Sequence, residues 1–224
     1  MALHTDKKYE EELQDLKEDI LKMGGLVEEM MILSMKSLVD RNSKLAQQVM
    51  VQDREANQLE LEIDDRCVKL LALRQPAASD LRFIIIGLRI SKDLERIGDL
   101  AVDISQQAEH LNKEPQLKPY VTLPEIAQKT QIMVKNALDS FVHKDAQKAQ
   151  KVCEMDDEVD DLKDFIFKEL TEIMLQDSSS VMRSVRLILV SRHLERIADH
   201  ATNIAEEVIF MTEGRDIRHG QGAV

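Results

Sequence analysis

The chain has 224 residues, of which 43% are hydrophobic, 32% charged and only 3% aromatic, with no Trp, seven Gly and four Pro. A β-rich fold is excluded, because it needs more aromatic, β-branched and turn residues, whereas good helix formers dominate here. The formal net charge of −12 excludes nucleic acid as the main ligand, which would require a basic face, and leaves room for cations or basic patches on protein partners.

An all-α protein is therefore expected, and its elements follow in chain order. The first dozen residues are polar and acidic, unlike a secretory signal. A first helix is expected from Asp6 to Val39, with Gly24-Gly25 as its weak point. A second runs from Ser43 to Arg74, with a break expected near Asp53. A third runs from Ser79/Asp80, both good N-cap types, to Leu111. Three of the four prolines, Pro115, Pro119 and Pro124, fall in Asn112–Pro124, which reads as a linker. Three more helices are expected over Pro124–Val142, Asp145–Leu175 and Ser178–Thr212, and a flexible tail over 214–224. The longest apolar runs, Phe83–Ile86 and Leu187–Val190, are far too short to cross a membrane, so no direct membrane insertion is expected. The two cysteines, Cys67 and Cys153, are isolated, which fits free thiols in a reducing cytoplasm.

The two halves repeat one another. Ser91–Ile104 and Ser191–Ile204 share eight of fourteen residues at an offset of 100. Earlier matches run at an offset of 103: Met30 with Met133, Ser37 with Ser140, Ala46-Gln47 with Ala149-Gln150, Asp53 with Asp156, and Ile63 with Ile166. The three-residue difference falls where the loop Arg74–Asp80 faces Gln176–Ser180, and loops tolerate such changes. The fold expected is two tandem, pseudo-symmetric three-helix bundles of six long helices, over residues 1–112 and 124–213.

The repeat carries carboxylates. Glu95 and Asp99, and again Glu195 and Asp199, stand one helical turn apart on the side opposite Leu94, Ile97 and Ala101 or their counterparts. Like charges at that spacing destabilise a helix by a few tenths of a kcal/mol unless a cation sits over them. Asp156 and Asp160 form a second pair on the middle helix of unit two; the unit-one counterparts are Asp53 and Asn57, followed by Glu60 and Asp64. Facing rows of oxygen donors suit a divalent cation such as Mg, Mn or Fe, and Zn less well. The alternative is an ordinary acidic surface, with Lys92 and Arg96 three residues before Glu95 and Asp99. His193 and His200 lie opposite Asp93 and Leu100 in the other copy and read as surface or flank residues. No Glu-x-x-His pair, catalytic triad or Gly-rich phosphate loop is present, so no enzyme is expected. The Met30–Met35 stretch, rich in Met and Leu, raises self-association into a homodimer beside its role in the core.

Cys67–Arg82 (CVKLLALRQPAASDLR), Leu94–Asp99 (LERIGD), Leu194–Asp199 (LERIAD), Met23-Gly24-Gly25 and Asp216–His219 occur in an order that resembles the PhoU family of bacterial phosphate-signalling regulators. The resemblance covers nearly the whole chain. It implies a non-enzymatic negative regulator of the phosphate-starvation response. Such a protein is an adaptor between the ATPase subunit of the phosphate ABC transporter and the phosphate sensor histidine kinase, cytoplasmic and peripheral to the inner membrane through those partners. It further implies that E(D)-x-x-x-D motifs bind metal. These match Glu95/Asp99, Glu195/Asp199 and Asp156/Asp160, while the fourth starts at Asp53 but ends at Asn57, a weaker ligand for a hard cation. A divalent-metal-binding helical protein, with the acidic rows as its active element, is the alternative reading.

Overall fold

Long apolar periodicities with few breakers become long helices, and the computed structural model, which describes residues 7–215, shows them: α1 (Lys7–Val39), α2 (Ser43–Arg74), α3 (Ala78–Leu111), α4 (Thr122–His143), α5 (Ala146–Glu154), α6 (Asp156–Gln176) and α7 (Val181–Glu213). No strand occurs among the described residues. α5 and α6 together take the place of one helix, so each repeat is a three-helix bundle. The expected tail, from residue 216 onward, and the motif Asp216–His219 lie outside the described residues.

Three local expectations are corrected. The break expected near Asp53 is absent, and α2 is continuous; the chain breaks instead at Met155, beside Asp156, the counterpart of Asp53 in the other unit. Met155 donates to the Val152 carbonyl in a tightened turn, and α6 restarts with Asp156, Asp157 and Glu158, acids that favour a helix N-terminus. Unit one has Arg54 at the second of these positions, so it lacks the run of acids that opens α6. Second, α3 starts at Ala78 after Pro76, and Ala77 caps it without a side-chain bond. Asp80 falls instead in the first turn, where it accepts from the Tyr9 hydroxyl at 3.2 Å. Third, α1 passes through Gly24-Gly25 unbroken. Gly24 is there for contact: a Cβ at that position would meet Leu138 Cδ1 of α4 at 2.6 Å, whereas one at Gly25 would meet nothing within 4 Å. Met30, Met31 and Met35 are buried core residues, leaving only Ile32 of that stretch exposed.

The two bundles share one core. α1 packs on α4, where Lys17 Nζ donates to the Val142 carbonyl at 3.0 Å, and α3 packs along α7. The linker is fastened to both units. Arg41, in the left-handed region at φ 52, donates from Nη2 to the carbonyls of Leu111, Asn112 and Glu114, closing the C-terminus of α3. Arg183 of α7 donates to the Pro115 carbonyl at 3.2 Å.

The α3–α7 seam is antiparallel. Arg89 donates to both oxygens of the buried Glu207 at 2.8 and 3.0 Å, and His200 Nδ1 lies 2.8 Å from Asp93 Oδ1. His193 Nδ1 is 3.7 Å from Asp103 Oδ2, and Arg186 donates to Gln107 at 2.9 Å. His193 and His200 are therefore seam residues, not surface or flank ones: the α3 face that carries Asp93 and Asp103 is the face that meets α7. Cys67 is buried and Cys153 half-buried, both free, and burial pushes their thiols up to about 12 and about 11, which makes them poor nucleophiles.

Gly25→Ala should stabilise the fold by about 0.5–1 kcal/mol in urea unfolding, since it gains helix propensity in open space. Gly24→Leu should destabilise it by roughly 1–3 kcal/mol by forcing α1 off α4. Equal effects at the two positions would contradict the packing described.

Candidate metal-binding grooves

Each bundle places its middle helix beside its third, and the acidic rows of the two helices face each other across the groove between them. In unit one, Asp53 on α2 feels Asp99 and Glu95 on α3. Its carboxyl is raised above the ordinary range, first by burial and then by those two charges, with relief from the Asn57 amide, which donates to Asp53 Oδ2 at 3.3 Å. Bases neutralise much of this groove. Lys92 Nζ sits 3.2 Å from both Glu60 Oε1 and Glu95 Oε2, and Arg96 Nη1 is 3.1 Å from Asp99 Oδ2. The Glu95 side chain is only 15% exposed and is tucked into the groove, whereas Asp99 is 43% exposed at its rim.

Unit two has one more acid and fewer bases within reach. Asp156 and Asp160 on α6 face Glu195 and Asp199 on α7. Burial raises Asp156, helped by Asp160, Asp157 and Glu195, while the Thr202 hydroxyl draws it back down. Asp199 is pushed up to about 6, by partial desolvation of its carboxyl and then by Glu195, Asp156 and Asp160, with His200 opposing. The cation nearest the row is Lys163, whose Nζ is 3.0 Å from Asp160, 3.5 Å from Asp164 and 3.7 Å from Glu195.

The seven candidate residues thus divide cleanly: Asp53, Glu95 and Asp99 share one groove, and Asp156, Asp160, Glu195 and Asp199 the other. As the side chains stand, no group of three or more His, Cys, Asp or Glu among the described residues converges to hold a metal ion. The donor chemistry of unit two nevertheless suits a hard cation, being four carboxylates, one of which, Asp199, is raised to about 6 by burial first and then by the charges of its neighbours. The pairs expected from spacing, Lys92 with Glu95 and Arg96 with Asp99, form, while the reach of Lys163 to Glu195, the Thr202 hydroxyl and the cross-helix bond from Lys92 to Glu60 come from neighbours that spacing along one helix does not show. Lys163 stands three residues after Asp160, a spacing that would have flagged it.

Such a chain is defined by its class first: a duplicated three-helix bundle whose charged residues line the grooves between helices. A family model described as the PhoU domain matches it twice, over residues 20–108 and 123–208. The chain is 42% identical over 217 residues to the phosphate-specific transport system accessory protein PhoU homolog of Pseudomonas aeruginosa, covering 96% of this chain and 90% of that one. It is 40% identical over 208 residues to the homolog of the same name from Aquifex aeolicus, covering 93% and 94%. The crystal structure of PhoU from Pseudomonas aeruginosa superposes with a TM-score of 0.89, covering 92% of this chain and 99% of that one. That of the phosphate transport system regulatory protein PhoU from Streptococcus pneumoniae, at 27% identity, does so with a TM-score of 0.87 over 93% and 98%. The chain belongs to the PhoU family.

The raised Asp199 has a consequence for stability. The folded chain holds this proton with a pKa of about 6, against an ordinary 3.8. Its contribution is therefore fully present below about pH 4 and lost as pH rises through about 6. His193, lowered by burial despite Asp103, acts with the opposite sign below its ordinary 6.5. In chelator-containing buffer, Asp199→Asn should raise stability at about pH 7.5 and flatten the decline between about pH 4 and 6 in urea unfolding. A wild-type pH profile retained in the variant would rule out Asp199 as its source.

Proposed function

We propose that this chain is a negative regulator of the phosphate-starvation response: a non-enzymatic adaptor that engages the ATPase subunit of the phosphate ABC transporter and the phosphate sensor histidine kinase. The observation that carries this reading is the PhoU-domain match over both repeats, together with relatives named as accessory proteins of the phosphate-specific transport system. The fold is compatible with it. No helix among the described residues is long and apolar enough to cross a membrane, so membrane proximity would come through the transporter. An adaptor acts by differential affinity: the transporter's conformation decides which contacts form, and the kinase reads the result. Deleting the gene in phosphate-rich medium should switch starvation genes on, and restoring it should silence them. Starvation genes that stay silent in the deletion strain would overturn the reading.

The mutual repulsion in the unit-two groove favours a second reading, in which the same protein binds a divalent cation. Asp156, Asp160, Glu195 and Asp199 would hold it, with Asp53, Glu95 and Asp99 the poorer set because of Asn57 and the four pairs made by Lys92 and Arg96. Bound there, an ion would supply positive charge between α6 and α7. For that, Lys163 must leave the row and the carboxylates must turn inward. A cation at about 100 times its dissociation constant should stabilise the fold by about 2.7 kcal/mol. Melting scans with Mn, Mg, Fe and Zn should show the shift in the wild type and lose it in Asp160→Asn/Asp199→Asn. A shift that persists in the double variant would place the ion elsewhere.

A further inference from the structure

Two corners of the molecule occupy equivalent positions of the repeat. Arg41 and Lys144 are each the left-handed residue, at φ 52, just before an N-cap: Asn42 in unit one and Asp145 in unit two. The residues that come near them from the starts of α3 and α7, Phe83 and Arg183, are counterparts at the offset of 100. The two corners are filled differently. Lys144 Nζ lies over the Phe83 ring, 5.9 Å from its centroid, and that ring stacks on Phe141 with centroids 5.5 Å apart. A cation over an aromatic face is a complete arrangement. The other corner has a second cation where this one has the ring. Arg41 Nη2 donates to the Glu114 carbonyl and Arg183 Nη1 to the next one, that of Pro115. Two guanidiniums are thus held against consecutive carbonyls of the linker. Burial raises the half-buried Tyr120 hydroxyl, and the charges of Arg41 and Arg183 both oppose that rise, which sets the two cations beside one ring.

The hydrogen bonding of this corner is incomplete. Arg41 Nη1, Arg183 Nε and Asn112 Oδ1 are buried and have no hydrogen-bond partner among the described residues. The Asn112 amide is not free to turn round, because its Nδ2 donates to the Ser37 carbonyl at 3.0 Å and to Ser43 Oγ at 3.2 Å. An unpaired buried donor is costly, more so on a charged group, and here two stand together. The acids in reach do not complete the set. Glu114 stops 3.7 Å from Arg183 Nε and is 47% exposed, and Asp177 is engaged by the Ser179 N–H and hydroxyl. The Arg183 side chain is 16% exposed and the linker is exposed over 113–116, so the corner lies just beneath the surface. Two cationic donors and one acceptor call for a ligand with charged oxygens and one proton to give.

We propose that this corner binds a small tetrahedral oxyanion that carries its own proton, of the hydrogen-phosphate class. Its charged oxygens would accept from Arg41 Nη1 and Arg183 Nε, and its O–H would donate to Asn112 Oδ1. The planar, permanently charged guanidinium suits such oxygens. Sulfate has the same shape but no proton to donate at neutral pH, so the Asn112 acceptor selects against it. Glu114 would swing outward as the anion enters. The ligand would join the turn after α1, the end of α3 and the start of α7. The inference uses neither the regulator reading nor the acidic grooves.

The test uses the purified full chain in chelator-containing buffer, so that no cation in the acidic grooves can carry the anion. Titration calorimetry with inorganic phosphate should show a saturable site. Sulfate at matched ionic strength should bind roughly tenfold more weakly, for want of one hydrogen bond. Arg183→Gln should weaken phosphate binding by roughly 10–100-fold. Arg183→Phe, which gives this corner the side chain of the other, should do the same, and circular-dichroism melts check that both variants stay folded. Lys144→Gln removes the equivalent cation at the other corner and should leave binding unchanged. No saturable phosphate binding, equal binding of phosphate and sulfate, binding that survives both Arg183 variants, or an equal loss in Lys144→Gln overturns the proposal. The comparison of phosphate with sulfate needs no variant and decides the matter even if one fails to fold. The regulator reading stands under all of these outcomes, since the deletion strain tests it separately.

Discussion

The antiparallel contact of α3 with α7 is the constraint from which the rest of the architecture follows. Each of the two helices is the third of its bundle, and each buries one face against its own unit and another against the other unit. Duplication of a bundle gives two identical surfaces, and identical charged surfaces repel. Had both units kept the residues of unit one, Asp103 would face an aspartate at position 193. Instead the copies have diverged where they meet: His193 now faces Asp103, His200 faces Asp93, and Glu207 takes both bonds from Arg89. Glu207 is only 6% exposed, and a carboxylate buried that deeply is tolerable only with a charged partner held in good geometry. The seam is thus complementary as a heterodimer interface would be, which fixes the register of the two units.

The same seam sets the conditions in the grooves. With one face of α3 and α7 committed to each other and a second to α1 and α4, the paired acidic rows line the side toward α2 and α6. There the helices bring like charges together, and the two grooves resolve the repulsion differently. Unit one uses Lys92, Arg96 and the neutral Asn57. Unit two keeps four carboxylates with one lysine among them, and burial together with those charges raises Asp199. His200 links the two regions, because it hydrogen-bonds Asp93 across the seam while its ring opposes the upward shift of Asp199.

Much of this was legible in the residues. Helix periodicity placed the six long elements, and the Pro-rich stretch marked the linker. The repeat revealed the pseudo-symmetry, and the four-residue spacing put the carboxylates in rows. Other features depend on what lies across a contact, which periodicity on one helix does not carry. His193 and His200 looked peripheral because their repeat counterparts are Asp93 and Leu100, and only the antiparallel register shows what they face. Gly24 looked like a helix breaker because its reason, Leu138, is more than a hundred residues away. The break at Met155 was expected at the equivalent place in the wrong copy, where Arg54 interrupts the acids that open α6.

The molecule therefore combines a repeated interior with asymmetric seam and grooves. Residues at the seam and in the grooves have diverged between the copies, as expected where each must meet a different neighbour. Positions that pack within each bundle have stayed apolar in both: Ile84, Ile90 and Leu94 of α3 correspond to Ser184, Val190 and Leu194 of α7, all of them buried. The one polar exception, Ser184, is small enough to sit in the same interior. The copies thus stay alike where each meets its own bundle and differ where each meets the other, which is how a duplicated unit becomes a single asymmetric core.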